Sequence, residues 1–374
     1  MHRSDTPVAK SAWVMIVIMS MSSAVAWAEG TTTSLSGFGT AGGTFTSDGK
    51  YAYNHNSTEF TGASNSFDVG LESRIGVQAV VSFDPQWSVT VQEVARLRGS
   101  KNFDPGTEWL YAQYQPDSNL KLRLGRVVLP VFLISDTINV GYAVPWFRAP
   151  NEVYFAEPLE HLDGGQALWQ QSLGAFQLKL EATYGDAEAS LNFGGVPVSA
   201  KSKSTFNAAV SLSWRNFLVR YAETDLNSAT SVLVSATENL SLNVHDRFHC
   251  VGLQYDDGKA LLMSEWTKRD ENKLAGFGKP FTEDTSWYSA AGWRLGKFTP
   301  LLSYSVLNVT DSLLQNAASY HTWSASLRYD VINNLDLKVQ ISRPQAADTA
   351  YWILANPVSD ERVNVYSFGA DFVF

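Results

Sequence analysis

The chain closes on Tyr366-Ser-Phe-Gly-Ala-Asp-Phe-Val-Phe374. Tyr366, Phe368, Ala370, Phe372 and Phe374 share one parity, and Ser367, Gly369 and Asp371 share the other. Successive side chains of a strand point to opposite faces, so this segment has one greasy face and one polar face. The alternation recurs upstream. Leu335, Leu337, Val339 and Ile341 oppose Asp336, Lys338 and Gln340. Phe176 to Tyr184 repeats it, with Gln177, Lys179, Glu181 and Thr183 on the polar side. Large aromatics gather near the strand ends. A barrel with lipid outside and water inside requires this pattern, whereas a soluble β-sandwich seldom uses so many strands.

Composition agrees. Aromatic residues are 13% of the 374 residues and charged residues only 17%, against about 25% charged in soluble domains. Mean hydropathy is nevertheless −0.12, too polar for a bundle of membrane helices. Many half-apolar strands satisfy both facts. The one long apolar run lies at the start: Arg3 and Lys10 precede Ala12 to Val25, and Ala26-Trp27-Ala28 follows. A basic head, a short apolar run and an A-x-A site read as a secretory signal peptide over 1–28. The run is shorter than the ~20 apolar residues of a spanning helix. The barrel domain then occupies 29–374. No Cys follows the expected cut directly, which excludes a lipoprotein. Cys250 is the single cysteine, so no internal disulfide can form. The net charge is −9, and loss of the signal peptide makes it one unit more negative. That excess argues against nucleic acid as a partner.

Period-2 segments are expected at 35–45, 74–83, 87–97, 107–115, 120–126, 166–173, 176–184, 205–213, 217–224, 246–255, 259–268, 286–295, 298–308, 320–329, 335–343 and 363–374. The fold class is therefore all-β, a transmembrane antiparallel β-barrel of about 16 strands. The links alternate short and long. Asp84-Pro-Gln86, Gly174-Ala175 and Asp256-Asp-Gly258 are short and carry turn chemistry. The spans 46–73, 127–165, 185–204, 225–245, 269–285 and 344–362 are long. Short periplasmic turns against long external loops mark outer-membrane barrels. Trp87, Trp214, Phe217, Tyr255, Trp293, Phe298 and Tyr329 lie near short turns and form an expected lower aromatic girdle; Tyr184, Phe206, Trp266, Trp287 and Trp323 form the upper one.

The longest link, 127–165, is too apolar for a solvated loop. It carries Leu133, Tyr142, Trp146, Phe147 and Tyr154, and the barrel interior is where such side chains can be buried. Folded inward, it constricts the lumen or plugs it. Parity turns Arg74, Arg96, Lys121 and Arg123 inward, with Arg98 continuing that side into the next loop. These form an expected basic wall. The loop offers Asp136, Glu152, Glu157, Glu160 and Asp163 opposite it, and Arg148 also stands in the constriction loop. Walls of charge at a narrowing set ion preference. Glu93 falls on the lipid side and Arg126 departs from strand parity; a charge there fits an interface or a subunit contact.

With its longest link in third place and Phe374 at the terminus, the chain resembles the Gram-negative porins, 16-stranded trimeric barrels whose third external loop folds into the channel. Pro145 to Tyr154 lacks the Pro-Glu-Phe-Gly-Gly type of tip found in the enteric general porins and is similar to a separate, less described branch. The resemblance implies outer-membrane lipid as surroundings, a homotrimer, and an assembly signal at Phe372 and Phe374 read by the barrel-assembly machinery. It also implies small hydrophilic solutes or ions as cargo and no cofactor. Other classes stay open: a substrate-specific channel for aromatic or sugar-like solutes, suggested by Tyr142, Trp146 and Tyr154, or a barrel enzyme or receptor with a plugged lumen. His245-Asp-Arg-Phe-His249 is the strongest candidate for a reactive or metal site. It lacks a third ligand, so no catalytic, cofactor or metal residue is assigned.

Overall fold

A computed structural model describes residues 30–49, 51–54, 62–98, 102–154, 159–193, 196–235, 238–274, 276, 278–280, 282–312, 317–346, 353–355 and 363–374. The expected signal segment lies outside the described residues. In chain order the strands are β1 (Thr32–Thr46), β2 (Tyr51–Tyr53), β3 (Arg74–Ser82), β4 (Trp87–Arg98), β5 (Asn102–Tyr114), β6 (Leu120–Val128), β7 (His161–Leu173), β8 (Phe176–Phe193) and β9 (Val196–Trp214). They continue as β10 (Phe217–Ser235), β11 (Glu238–Asp256), β12 (Ala260–Glu271), β13 (Thr282–Trp293), β14 (Phe298–Ser312), β15 (Ala318–Ile332), β16 (Leu335–Ala346), β17 (Ile353–Ala355) and β18 (Val365–Val373). All but β2 and β17 close an antiparallel barrel of 16 strands, each beside its neighbour in sequence. Full closure leaves no edge whose N–H and C=O groups would be unsatisfied in hydrocarbon.

The alternation sets which side meets lipid. Ile75, Leu124, Leu180, Leu212, Leu253, Leu302, Val339 and Phe368 are all accessible on the outer face. Arg74, Gln92, Glu181, Ser211, Glu265, Asp336 and Lys338 point inward and are buried. Both aromatic girdles form. Toward the short turns, Trp87 stacks on Tyr114 at 4.6 Å and Phe217 meets Tyr255 at 4.7 Å. Toward the other end, Tyr304 lies 4.6 Å from Trp323 and 5.6 Å from Trp287.

The barrel seam joins β1 to β18, from Phe38↔Val373 to Thr46↔Val365. Here the outward positions 37 and 39 of β1 are glycine because aromatic rings lie across them. The Phe374 ring covers Gly37, and the Phe372 ring covers Gly39. A Cβ at either glycine would enter the ring, so Gly37→Leu or Gly39→Leu should lower the folded fraction. Heat-modifiable gel mobility after refolding reads this directly; wild-type yield from both variants would contradict the packing.

Two expected long loops are instead largely strand. β8 to β11 run on through 185–193, 196–204, 225–235 and 238–245, leaving only short connections. The reason is a change of surroundings. Above the upper girdle the outer face is wet, so Asp186 and Glu188 point out while Ala187 and Ala189 are buried inside. The greasy-out rule stops marking strands there. The expected links 46–73 and 344–362 hold β2 and β17, which pair with each other, Ile353↔Tyr53 to Ala355↔Tyr51. Finally, Val127 and Val128 belong to β6 and His161 to Gly165 to β7, so the third link is 129–160.

Candidate functional site: the loop inside the lumen

The described residues of the link 129–160 fold into the barrel. Its apolar residues Leu129, Val131, Phe132, Ile134, Val144, Trp146 and Val153 form one buried cluster with Phe248, Cys250, Leu261, Met263, Tyr288, Ala290 and Leu301 from the wall. Trp146 is 2% exposed and meets Tyr288 edge-on at 5.6 Å. Phe132 packs on Tyr154 at 4.8 Å and on Phe248 at 5.9 Å. Burying such side chains is worth roughly 1.5–3 kcal/mol each, which explains why the loop is not displayed on the surface.

Polar wall residues grip the loop's backbone. Arg220 donates to the Pro130 carbonyl, Arg74 to Asn139 at 2.9 Å, and Arg328 to Tyr142 at 2.7 Å. Lys338, 1% exposed, donates to Gly141 and Val144 at 2.6 and 2.8 Å. The Gln340 amide oxygen accepts from the N–H groups of Phe147 and Arg148 at 3.1 and 3.0 Å. Glu265 accepts from the Leu133 N–H at 2.8 Å and from the Tyr154 and Tyr288 hydroxyls. An irregular segment inside a barrel must have its backbone groups satisfied, and these side chains do it.

Two charged loop residues are anchored outright. Arg148 forms a buried ion pair with Glu72, donates to Thr44 at 2.6 Å and Ser367 at 2.8 Å, and lies over the Tyr53 ring at 4.5 Å. Burial works against its charge, but Glu72 and Tyr53 hold its pKa above the ordinary arginine value. Glu152 accepts from Ser305 at 2.6 Å and from Thr322. Burial pushes its carboxyl above the usual range, and those hydroxyls pull it back in part.

The expected basic wall divides. Arg74 is committed to a loop carbonyl. Arg96 bonds Glu160 and Asn139, with Glu108 at 3.7 Å. Arg123 bonds the Gln113 amide at 2.9 Å and Gln166 at 3.1 Å, with Tyr111 beneath it at 4.7 Å. Lys121 is half-buried on the same strand. Arg98 sits at the end of β4, and its side chain lies outside the described residues, as does the whole of Glu157. Asp136 is exposed on the loop.

Other expectations need correction. Asp163 is not opposite the basic wall; it lies on β7 facing outward, bonded twice to Arg126 at 2.7 Å. Arg126 shares the outward parity of Leu124, so the two charges neutralise each other on the outer face. Tyr142, Trp146 and Tyr154 do not make one aromatic surface. Trp146 and Tyr154 flank Tyr288, while Tyr142 reaches the short-turn rim, donating to Asn333 at 2.6 Å under Arg328. His245 and His249 face outward, beside Asp225 and Tyr221. Glu265, Gln340, Lys338 and Arg328, which hold the loop, were visible only as polar members of strands.

A closed barrel with short turns at one end, aromatic girdles and a loop packed in its lumen defines an outer-membrane pore protein. The Gram-negative porin family model matches residues 12–371, and the chain belongs to that family. No curated protein sequence matches it. Among solved structures it is similar to a loop-deletion mutant of OmpT from Vibrio cholerae, with TM-score 0.63 and 12% identity over 92% of this chain and 100% of that one. The anion-selective porin of Comamonas acidovorans gives 0.61 and 12% over 92% and 100%. The DcaP channel of Acinetobacter baumannii gives 0.59 and 13% over 92% and 98%. The protein resides in the outer membrane.

Proposed function

We propose that the protein is a passive diffusion channel for small hydrophilic solutes, with no chemical step, working as a homotrimer. The observation that carries this is the one-sided packing of the loop. Its clamps come from β1, β3, β4, β10, β12 to β16 and β18, whereas Lys121, Arg123, Gln170, Gln177 and Lys179 on β6 to β8 keep exposed or half-exposed polar side chains toward the lumen. That polar side is the route for water and solute. The trimeric form recorded for OmpT of Vibrio cholerae supports the assembly.

Recording from purified protein in planar bilayers tests the reading. Open steps in groups of three are expected; folded protein that passes no current would instead be a plugged receptor. Ion preference gives a second prediction. Arg123 faces neutral amides, so Arg123→Gln should move the reversal potential in a salt gradient toward cations. Arg96→Gln should move it less, because Glu160 and Glu108 already offset that charge. Unchanged potentials in Arg123→Gln would remove this residue from the selectivity wall.

A further inference from the structure

At the outer end of the lumen, three inward carboxylates crowd around one guanidinium. Arg269 Nη1 lies 3.4 Å from Asp246 and 3.9 Å from Glu271, and its Nε lies 3.9 Å from Asp284. The guanidinium sits over the Phe248 ring at 5.4 Å. All four charged side chains are nine-tenths or more buried. They lie beyond Trp266 and Trp287 of the upper girdle. Their outward neighbours Lys268, Asp270 and Glu283 are charged, so this end of β11, β12 and β13 stands in water above the apolar band.

The strand registers fix the crowding. Asp246 stands directly opposite Glu271, and Arg269 directly opposite Asp284. Like charges in directly opposed positions destabilise a strand pair. One arginine offsets one carboxylate, so full ionisation would bury two uncompensated negative charges. Asp246 Oδ1 and Asp284 Oδ1 are also buried with no hydrogen-bond partner among the described residues. A proton on such an oxygen removes both the repulsion and the cost of burying a charge. The flanking strands supply no ionisable group here: β10 places Leu226 beside Asp246, and β14 places Val309 beside Asp284. Asp225, His245 and Arg247 pair with one another on the outer face, and Lys279 pairs with Asp311 at 3.5 Å.

The cluster closes the foot of the external link 272–281. Glu271 accepts the Thr282 N–H at 2.7 Å, and the Asn272 N–H donates to the His245 carbonyl at 3.1 Å. Burial and the facing Asp246 charge push Glu271 up to about 8. Burial pushes Asp284 up to about 6, although Arg269 pulls it back in part.

We propose that this cluster is an acid-tightened clasp: protons taken up from the medium hold the ends of β12 and β13 against β11, and their loss loosens the barrel mouth there. In frayed strand ends these carboxyls titrate near ~4. The closed form therefore binds more protons, and its extra stability is complete below that value. It is lost as pH rises through about 6 and then about 8.

Amide exchange of the folded protein in detergent tests this, with a chelator present and rates scaled at each pH to an unstructured peptide. Protection of 269–272 and 282–285 should be at least tenfold greater at pH 5.5 than at pH 9, while the β1–β18 seam changes less than twofold. Glu271→Gln/Asp284→Asn, checked for folding by gel mobility, should raise protection at pH 9 to the wild-type value at pH 5.5. A merely structural role predicts a fall instead. If the double variant does not fold, Glu271→Gln alone should raise protection at pH 9 at least threefold. Equal wild-type protection at both pH values overturns the proposal, as does a folded variant that keeps the wild-type pH dependence.

Discussion

Excising residues 131–155 and joining the ends with a short glycine linker should raise the unitary conductance several-fold in planar bilayers. The excised piece contributes Phe132, Ile134, Val144, Trp146 and Val153 to the packed cluster inside the lumen, and water would take their place. The wall should survive, because its ladder closes from β1 to β18 without any contribution from the loop. The side chains that grip the loop, including Arg220, Glu265, Arg328 and Lys338, would then face water and be rehydrated rather than stranded. Phe248, Leu261, Met263 and Tyr288 of the wall would also meet water, so the barrel should fold with lower stability than the parent. A deletion variant that folds yet conducts as the parent does would mean that the current bypasses the loop.

The second large effect is expected at Arg148. Replacing it with Met leaves the Glu72 carboxylate buried without its partner, a loss of roughly 3–5 kcal/mol for pairs of this kind. Because Arg148 also bonds Thr44 and Ser367 across the seam strands, the loop's middle should detach before the barrel does. Limited proteolysis within 141–150 should accelerate at least tenfold, and open-channel current noise should rise. The double variant Arg148→Met/Glu72→Leu removes both charges and should recover most of the protection. Equal protease resistance in the single variant and the wild type would show that the ion pair does not hold the loop.

The wall of this protein was legible in its sequence because lipid on one side and water on the other force period 2. Trp87, Phe217 and Trp323 fall where the girdles require them for that reason. Legibility failed where the solvent on the outer face changes. Residues 185–193 and 225–235 are strands with water on the outside, so Asp186, Glu188 and Asp225 carry no lipid signal. The loop announced itself through Trp146 and Phe147, whose burial had to occur somewhere. Its attachments did not. Nothing local in Gln340 or Glu265 distinguishes a side chain that holds a loop carbonyl or N–H from one that meets water. Asp163 was misplaced for a related reason: its partner Arg126 lies on another strand, and only the register Arg126↔Asp163 brings them together.

The unequal strand lengths have a consequence for how molecules arrive. Strands of 18–19 residues at β8 to β11, tilted as barrel strands are, rise roughly 45 Å, well beyond an apolar band of about 25 Å. The nine residues of β18 and of β3 barely cross it. The wall therefore stands higher along β8 to β11 than along β3 and β18, where the links carrying the β2–β17 pair follow instead. A bulky particle that approaches over β8 to β11 first strikes this raised wall.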